Sequence, residues 1–171
     1  DLGAAEGYHI ISLLKKKFFK KGLAFEISKR SREILKKNAQ INKISDRIKV
    51  YENANFSSLT SALKNFNHKK LLFLVDIEGQ EYDLFNDNFC KKFSKGTFII
   101  EDHSFNVSKK KKVKNFIKNI KKYYKIEILK DISKNPFNFN ILNKYTDDEK
   151  YLMMSEGRPQ TMRWLILQPK K

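Results

Sequence analysis

Absences bound this sequence before any motif does. Among 171 residues there is one cysteine, Cys90, so no intramolecular disulfide can form. A lone thiol suits a reducing compartment, and a cytoplasmic location is the expectation. No apolar run approaches the ~20 residues of a membrane-spanning helix. The strongest, Leu71-Leu72-Phe73-Leu74-Val75, has the length of a strand. Carboxylates are scarce beside cations, 19 against 36, which leaves a formal net charge of +17. So basic a balance suggests nucleic acid, an anionic surface or an acidic substrate. Arginine, the side chain suited to bidentate phosphate recognition, is also scarce, and the lysines are spread along a chain rich in Lys, Asn, Ile and Phe. The charge therefore reads first as compositional bias, with a nucleic-acid partner the lesser reading. An initiator methionine is absent too. The opening Asp1-Leu2-Gly3 reads as the end of a strand entering a glycine turn, so upstream residues are expected and a targeting peptide there stays open.

The length suits one domain, residues 1–171, with a core that needs no disulfide or metal. Strand-like and helix-like segments alternate. Helical spacing runs through Ile10, Ile11, Leu14 and Phe18 between Glu6 and Phe18, and a short apolar strand follows over Gly22 to Ile27. Ser28 or Ser31 can cap a helix whose apolar face holds Ile34, Leu35 and Ile41. Further strands are expected over Arg47 to Tyr51, Lys70 to Ile77, Gly96 to Glu101, Ile126 to Lys130 and Met162 to Leu167. A helix is expected from Gly79 to Asn86, and another behind Ser108 with Val113, Phe116, Ile117, Ile120 and Tyr124 on one face. Its lysine-rich remainder reads as a solvated face, with a nucleic-acid patch the sharper alternative. Such alternation predicts a mostly parallel α/β sheet. The stretch from Asp131 to Thr161 is long for a structureless connection and is a candidate acceptor-side insertion.

Three constellations carry chemistry. Asp1-Leu2-Gly3-Ala4-Ala5-Glu6-Gly7 leads into a helix; Gly3 and Gly7 permit tight turns and close approach of a ligand, and the helix start behind them favours a carboxylate or phosphate. A dinucleotide fingerprint would place glycines where Ala5 and Tyr8 stand, and those glycines admit a pyrophosphate. Their absence favours a nucleoside–amino acid ligand over a nicotinamide dinucleotide. Glu26 follows Gly7 at the end of the second strand segment, where a carboxylate can accept both ribose hydroxyls. Finally, Asp76-Ile77-Glu78-Gly79-Gln80-Glu81 ends one buried strand and Ile100-Glu101-Asp102-His103 ends the next. Spacing by two lets Asp76 and Glu78 share a side if the chain stays extended. If the two strands are neighbours, Asp76, Glu78, Glu101 and His103 converge at one rim.

In this order and spacing the turn at Asp1 to Tyr8, Ala24-Phe25-Glu26 with Leu35-Lys36-Lys37-Asn38, the Asp76 to Glu81 segment and Ile100 to His103 resemble the FkbM-type family of class I S-adenosylmethionine-dependent methyltransferases, over roughly residues 1 to 130. The resemblance implies a Rossmann-like sandwich: a mostly parallel seven-stranded sheet with helices on both faces, its first strand missing from this chain. It implies O-methylation of a small-molecule or sugar hydroxyl, with S-adenosylmethionine held by Asp1, Gly3, Ala4, Glu6, Gly7, Glu26, Asp76 and, at the adenine, Asn53 and Ala54. Since the sulfonium activates the methyl group, the remaining task is to place the acceptor and remove its proton. His103 has the intrinsic pKa of a general base. Asp76 could do the same or orient the acceptor, with Glu78 and Glu101 beside it. Alternatively Asp76, Glu78, Glu101 and His103 could hold a hard divalent cation that lowers the acceptor's pKa. Arg158 is a lesser candidate for meeting an anionic acceptor. An RNA methyltransferase and a non-catalytic binding module of the same fold are the competing functions. Asn135-Pro136-Phe137 resembles part of an amino-methylating signature but stands after the wrong strand.

Overall fold

A computed structural model describes residues 1–104, 110–130, 135–155 and 162–170 of the chain. Among the described residues, six strands, β1 (Gly22–Phe25), β2 (Ile48–Tyr51), β3 (Leu72–Val75), β4 (Thr97–Glu101), β5 (Tyr124–Lys130) and β6 (Arg163–Pro169), are interleaved with helices. The helices are α1 (Tyr8–Lys15), α2 (Lys29–Ile41), α3 (Phe56–Leu63), α4 (Glu81–Leu84), α5 (Asp87–Lys92), α6 (Lys110–Tyr123) and α7 (Asp147–Met154). β1 pairs with β2 and β3 with β4, both in parallel. β6 runs antiparallel between β4 and β5.

Between β1 and β3 stands Leu2, which bridges to Phe25 on one side and Val75 on the other. Leu2 donates to Leu74 O at 2.8 Å and accepts from Asp76 N at 2.9 Å; Phe25 N donates to Asp1 O at 2.8 Å. The order across the sheet is thus β2, β1, Leu2, β3, β4, β6, β5. Behind Leu2, toward the start of the strands, lies an apolar cavity of about 440 Å³ lined by Leu14, Leu23, Phe25, Leu63, Leu72 and Leu74 among others.

Alternation along each strand divides the core between two faces. Ala24 packs with Ile10, Ile11, Leu14, Leu35 and Ala39 of α1 and α2. Its neighbour Phe25 joins Phe73, Val75, Phe98 and Ile100 under α3 to α6. Phe85, Phe89, Phe93 and Phe98 are fully buried in ring-to-ring contact with one another, and Phe73 stacks on Phe98 at 4.3 Å between centroids. Each such ring contributes about 1.5–3 kcal/mol of burial, so phenylalanine forms much of this core. Cys90 is buried beside them, and burial pushes its thiol up to about 12. It is an inert core residue.

Several expectations need adjustment. Ile41 ends α2 facing solvent, and Ala39, one turn after Leu35, takes the core position. Tyr124 is buried as expected but opens β5 instead of extending the helix. The helix expected over Gly79 to Asn86 shortens to α4, and Asn86 caps the separate helix α5. The Asp131–Thr161 stretch contains α7, started by a capping box between Thr146 and Glu149. Two lysines of α6 meet carboxylates: Lys112 lies 2.7 Å from Asp83 and Lys122 2.9 Å from Asp87, which favours the solvated-face reading. Ser108 and Arg158 lie outside the described residues. No helix among the described residues is long and apolar enough to cross a membrane.

Candidate active site at the carboxyl edge of the sheet

All three constellations meet at the carboxyl edge. The turn after Leu2 is bound to the end of β1: Gly3 N and Ala4 N both donate to Phe25 O, at 2.9 and 3.1 Å. Gly3 has φ +81°, and a Cβ added to it would lie 1.7 Å from Asp76 O. Only glycine lets this turn cross the exit of β3. Gly7 has another task. It is the left-handed N-cap of α1, and a Cβ there would meet Leu35 at 2.9 Å, so it lets α1 pack against α2. No side chain caps α1, which leaves its first N–H groups suited to a ligand carboxylate.

Glu26 stands at the end of β1. Its carboxylate accepts from Ala5 N at 2.9 Å and Ser28 N at 2.7 Å, and each oxygen keeps a second lone pair for a further donor. This carboxylate joins the glycine turn to the loop entering α2. Asn53 is exposed and Ala54 half-buried just beyond β2, next along the same edge. Ala4 is buried in the core, Glu6 is exposed, and Asp1 keeps a buried Oδ2 without a hydrogen-bond partner among the described residues.

β3 and β4 are parallel neighbours, with Val75 opposite Ile100, so the acidic ends of both strands converge as anticipated. The route differs from the expected extended chain. Glu78 adopts a left-handed φ of 52° and Gly79 one of 89°, turning the chain back after Asp76. That conformation costs a non-glycine residue roughly 1–2 kcal/mol. It brings Glu78 Oε2 to 3.5 Å from His103 Nε2, while Asp76 Oδ1 lies 3.6 Å from the same nitrogen. Ligand atoms of Asp76, Glu78 and His103 all fall within 4.8 Å of one another, a spacing one hard cation could bridge. Glu101 is buried beside this group but is not one of the three.

The electrostatics follow from crowding. Burial, then a hydrogen bond and charge repulsion from buried Glu101, push Asp76 up to about 7. Asp76 Oδ1 is buried without a hydrogen-bond partner among the described residues. The hydrogen bond to Glu81 raises His103 above its ordinary pKa against the opposing effect of burial. Glu81 is itself buried at 1 % exposure and was not foreseen as a site residue. Its acidic neighbourhood in the sequence gave only a helix-start signal. Just past the end of β4, Asp102 anchors this corner by accepting from Tyr82 Oη at 2.8 Å, Ser104 N at 3.0 Å and the Arg163 guanidinium.

An acidic residue after β1, a glycine turn at the centre and a carboxylate after β3 form one continuous ledge, as a nucleoside-bearing ligand lying across the strand ends requires. The chain matches no family model and no curated protein by sequence. Solved structures do match. The chain has the class I methyltransferase fold. A precorrin-6y C5,15-methyltransferase from Geobacter metallireducens superposes at TM-score 0.62 and 9 % identity, over 99 % of this chain and 78 % of that one. An O-methyltransferase from Bacillus cereus in complex with SAH gives 0.63 and 13 %, over 98 % and 72 %. A protein proposed to be an rRNA-methylase from Clostridium thermocellum gives 0.58 and 11 %, over 100 % and 86 %. These identities establish architecture, and the three matches do not single out the FkbM-type family.

Proposed function

We propose that the chain is a single S-adenosylmethionine-dependent methyltransferase domain of FkbM type that methylates a hydroxyl of a small molecule or sugar in the cytoplasm. The observation that carries this is the joining, on one edge of a methyltransferase-type sheet, of the Gly3 turn and Glu26 to a cluster of proton-accepting groups. The ledge fits the cofactor. Glu26 suits the ribose hydroxyls, the uncapped start of α1 and the turn at Gly3 suit the amino-acid carboxylate, and Asn53 and Ala54 flank the adenine side. Asp1, Ala4, Glu6 and Gly7 shape the turn. When bound, the cofactor supplies a methyl group already activated by its sulfonium.

The chain's own residues then have one chemical task. His103 Nε2, turned toward Asp76 and Glu78, takes the proton of the acceptor hydroxyl as its oxygen attacks. The carboxylates stabilise the imidazolium that forms. Asp76, half-protonated near neutrality, can donate a hydrogen bond to the acceptor, with Glu101 holding it in place. β5 leaves and β6 enters the sheet at this same edge, which supports the 131–161 segment as the acceptor side.

Acceptor class is tested by radiolabelled methyl transfer to a panel of small hydroxyl compounds and to RNA, at low and high salt and with and without chelator. Salt-insensitive, chelator-resistant transfer to a small hydroxyl is expected. Steeply salt-dependent transfer to RNA would replace this reading with the one the +17 charge favours. Loss of activity on chelation, restored by a divalent cation, would assign the carboxylates and His103 to a cation.

A further inference from the structure

We infer that Glu81 is a positioning residue. It fixes His103 with its proton on Nδ1 and its Nε2 presented to the acceptor side, and it locks the ring to the turn that carries Glu78. The catalytic consequence rests on the methyltransferase reading; the geometry does not.

Glu81 is the first residue of α4, yet its carboxylate does not spend itself on its own helix. Oε2 accepts from Gly79 N at 2.8 Å, and Oε1 lies 3.0 Å from His103 Nδ1. One carboxylate therefore spans the exits of β3 and β4. Burying a carboxylate costs several kcal/mol unless each oxygen is satisfied, and these two bonds satisfy both. An ionised carboxylate only accepts, so the hydrogen between Glu81 and His103 sits on Nδ1. In the neutral ring the lone pair is then on Nε2, the nitrogen 3.6 Å from Asp76 and 3.5 Å from Glu78. Among the described residues, Asp76 and Glu78 from the β3 exit, Glu81 from α4 and Glu101 from β4 are charged groups facing the ring. Glu81 lies against Nδ1. The bond to Gly79 holds the residue next to left-handed Glu78, so the same carboxylate sets where Glu78 points.

Nitrogen NMR of the histidine rings tests this in the whole protein without cofactor or acceptor, with His103→Asn assigning the signal among His9, His68 and His103. The neutral wild-type ring is expected to be protonated at Nδ1. In Glu81→Gln the amide oxygen can stay on Gly79 N–H while the amide N–H₂ faces Nδ1, so the proton is expected to move to Nε2. With Nε2 protonated and no longer able to accept a proton, kcat should fall about 10–100-fold with cofactor affinity unchanged. A neutral wild-type ring protonated at Nε2, or a folded Glu81→Gln protein with an unaltered tautomer, overturns the inference. Should the variant not fold, the wild-type tautomer decides alone. Failure of cofactor binding would remove the methyltransferase reading and leave the NMR result standing.

Discussion

Gly3→Ala tests the close approach on which the cofactor ledge depends. Two penalties act together. At φ +81° an alanine is held in the left-handed region, at roughly 1–2 kcal/mol. Its Cβ would also fall 1.7 Å from Asp76 O, and the obstacle is backbone. The turn or the β3 exit must then move, a strain on the order of 1–3 kcal/mol or more. Against this, alanine lowers unfolded-state entropy by about 0.4–1 kcal/mol in its own favour. The net expectation is a loss of about 2–4 kcal/mol, a large part of the ~5–15 kcal/mol that holds a domain together. Gly22→Ala is the control, since a Cβ there meets the flexible end of Ile10 at 2.8 Å and no backbone; about 1 kcal/mol is expected. Urea unfolding at 25 °C with linear extrapolation measures both. A Gly3→Ala loss no larger than that of Gly22→Ala would refute the reasoning.

Two further outcomes follow from the rim. His103→Ala is expected to lower turnover about 10²–10⁴-fold while leaving cofactor affinity intact; unchanged turnover would remove the base role. Asp76 is held at about 7 against an ordinary 3.8. An acid whose folded pKa is raised costs stability as pH climbs from its unfolded to its folded value, and the cost is constant above that. The Tm of Asp76→Asn should therefore gain on the wild type between about pH 4 and 7 and run parallel above it. With solvent screening the gain is about 1 kcal/mol, or roughly 2–4 °C. A gap independent of pH in differential scanning fluorimetry would mean that Asp76 titrates normally.

Much of the fold was legible because its signals are local. The run Leu71 to Val75 and the segments around β1, β2 and β4 announce strands, and Ser28 does cap α2, accepting from Ser31 N at 3.2 Å. The helices missed have weaker patterns. α3 and α5 are short, and α7 leaves Tyr151, Leu152 and Met153 exposed, so no apolar stripe marks it even though Thr146 and Glu149 spell a capping box. In the candidate site, the meeting of Asp76 and His103 followed from adjacent strand ends, whereas Glu78 joins them through a left-handed turn and not the extended chain expected. Glu81 could not be found that way. Its reach to His103 depends on the left-handed turn at Glu78 and Gly79, and an isolated Glu–Gly–Gln–Glu string does not declare that turn.

The central claim is that this ledge binds S-adenosylmethionine. Its most direct test is calorimetric titration of S-adenosylmethionine and S-adenosylhomocysteine into the protein beside a Glu26→Ala variant. Saturable binding of both ligands, weakened at least tenfold by loss of the Glu26 carboxylate, is the result expected. A folded protein that binds neither ligand would contradict the account and leave a binding module built on a methyltransferase fold.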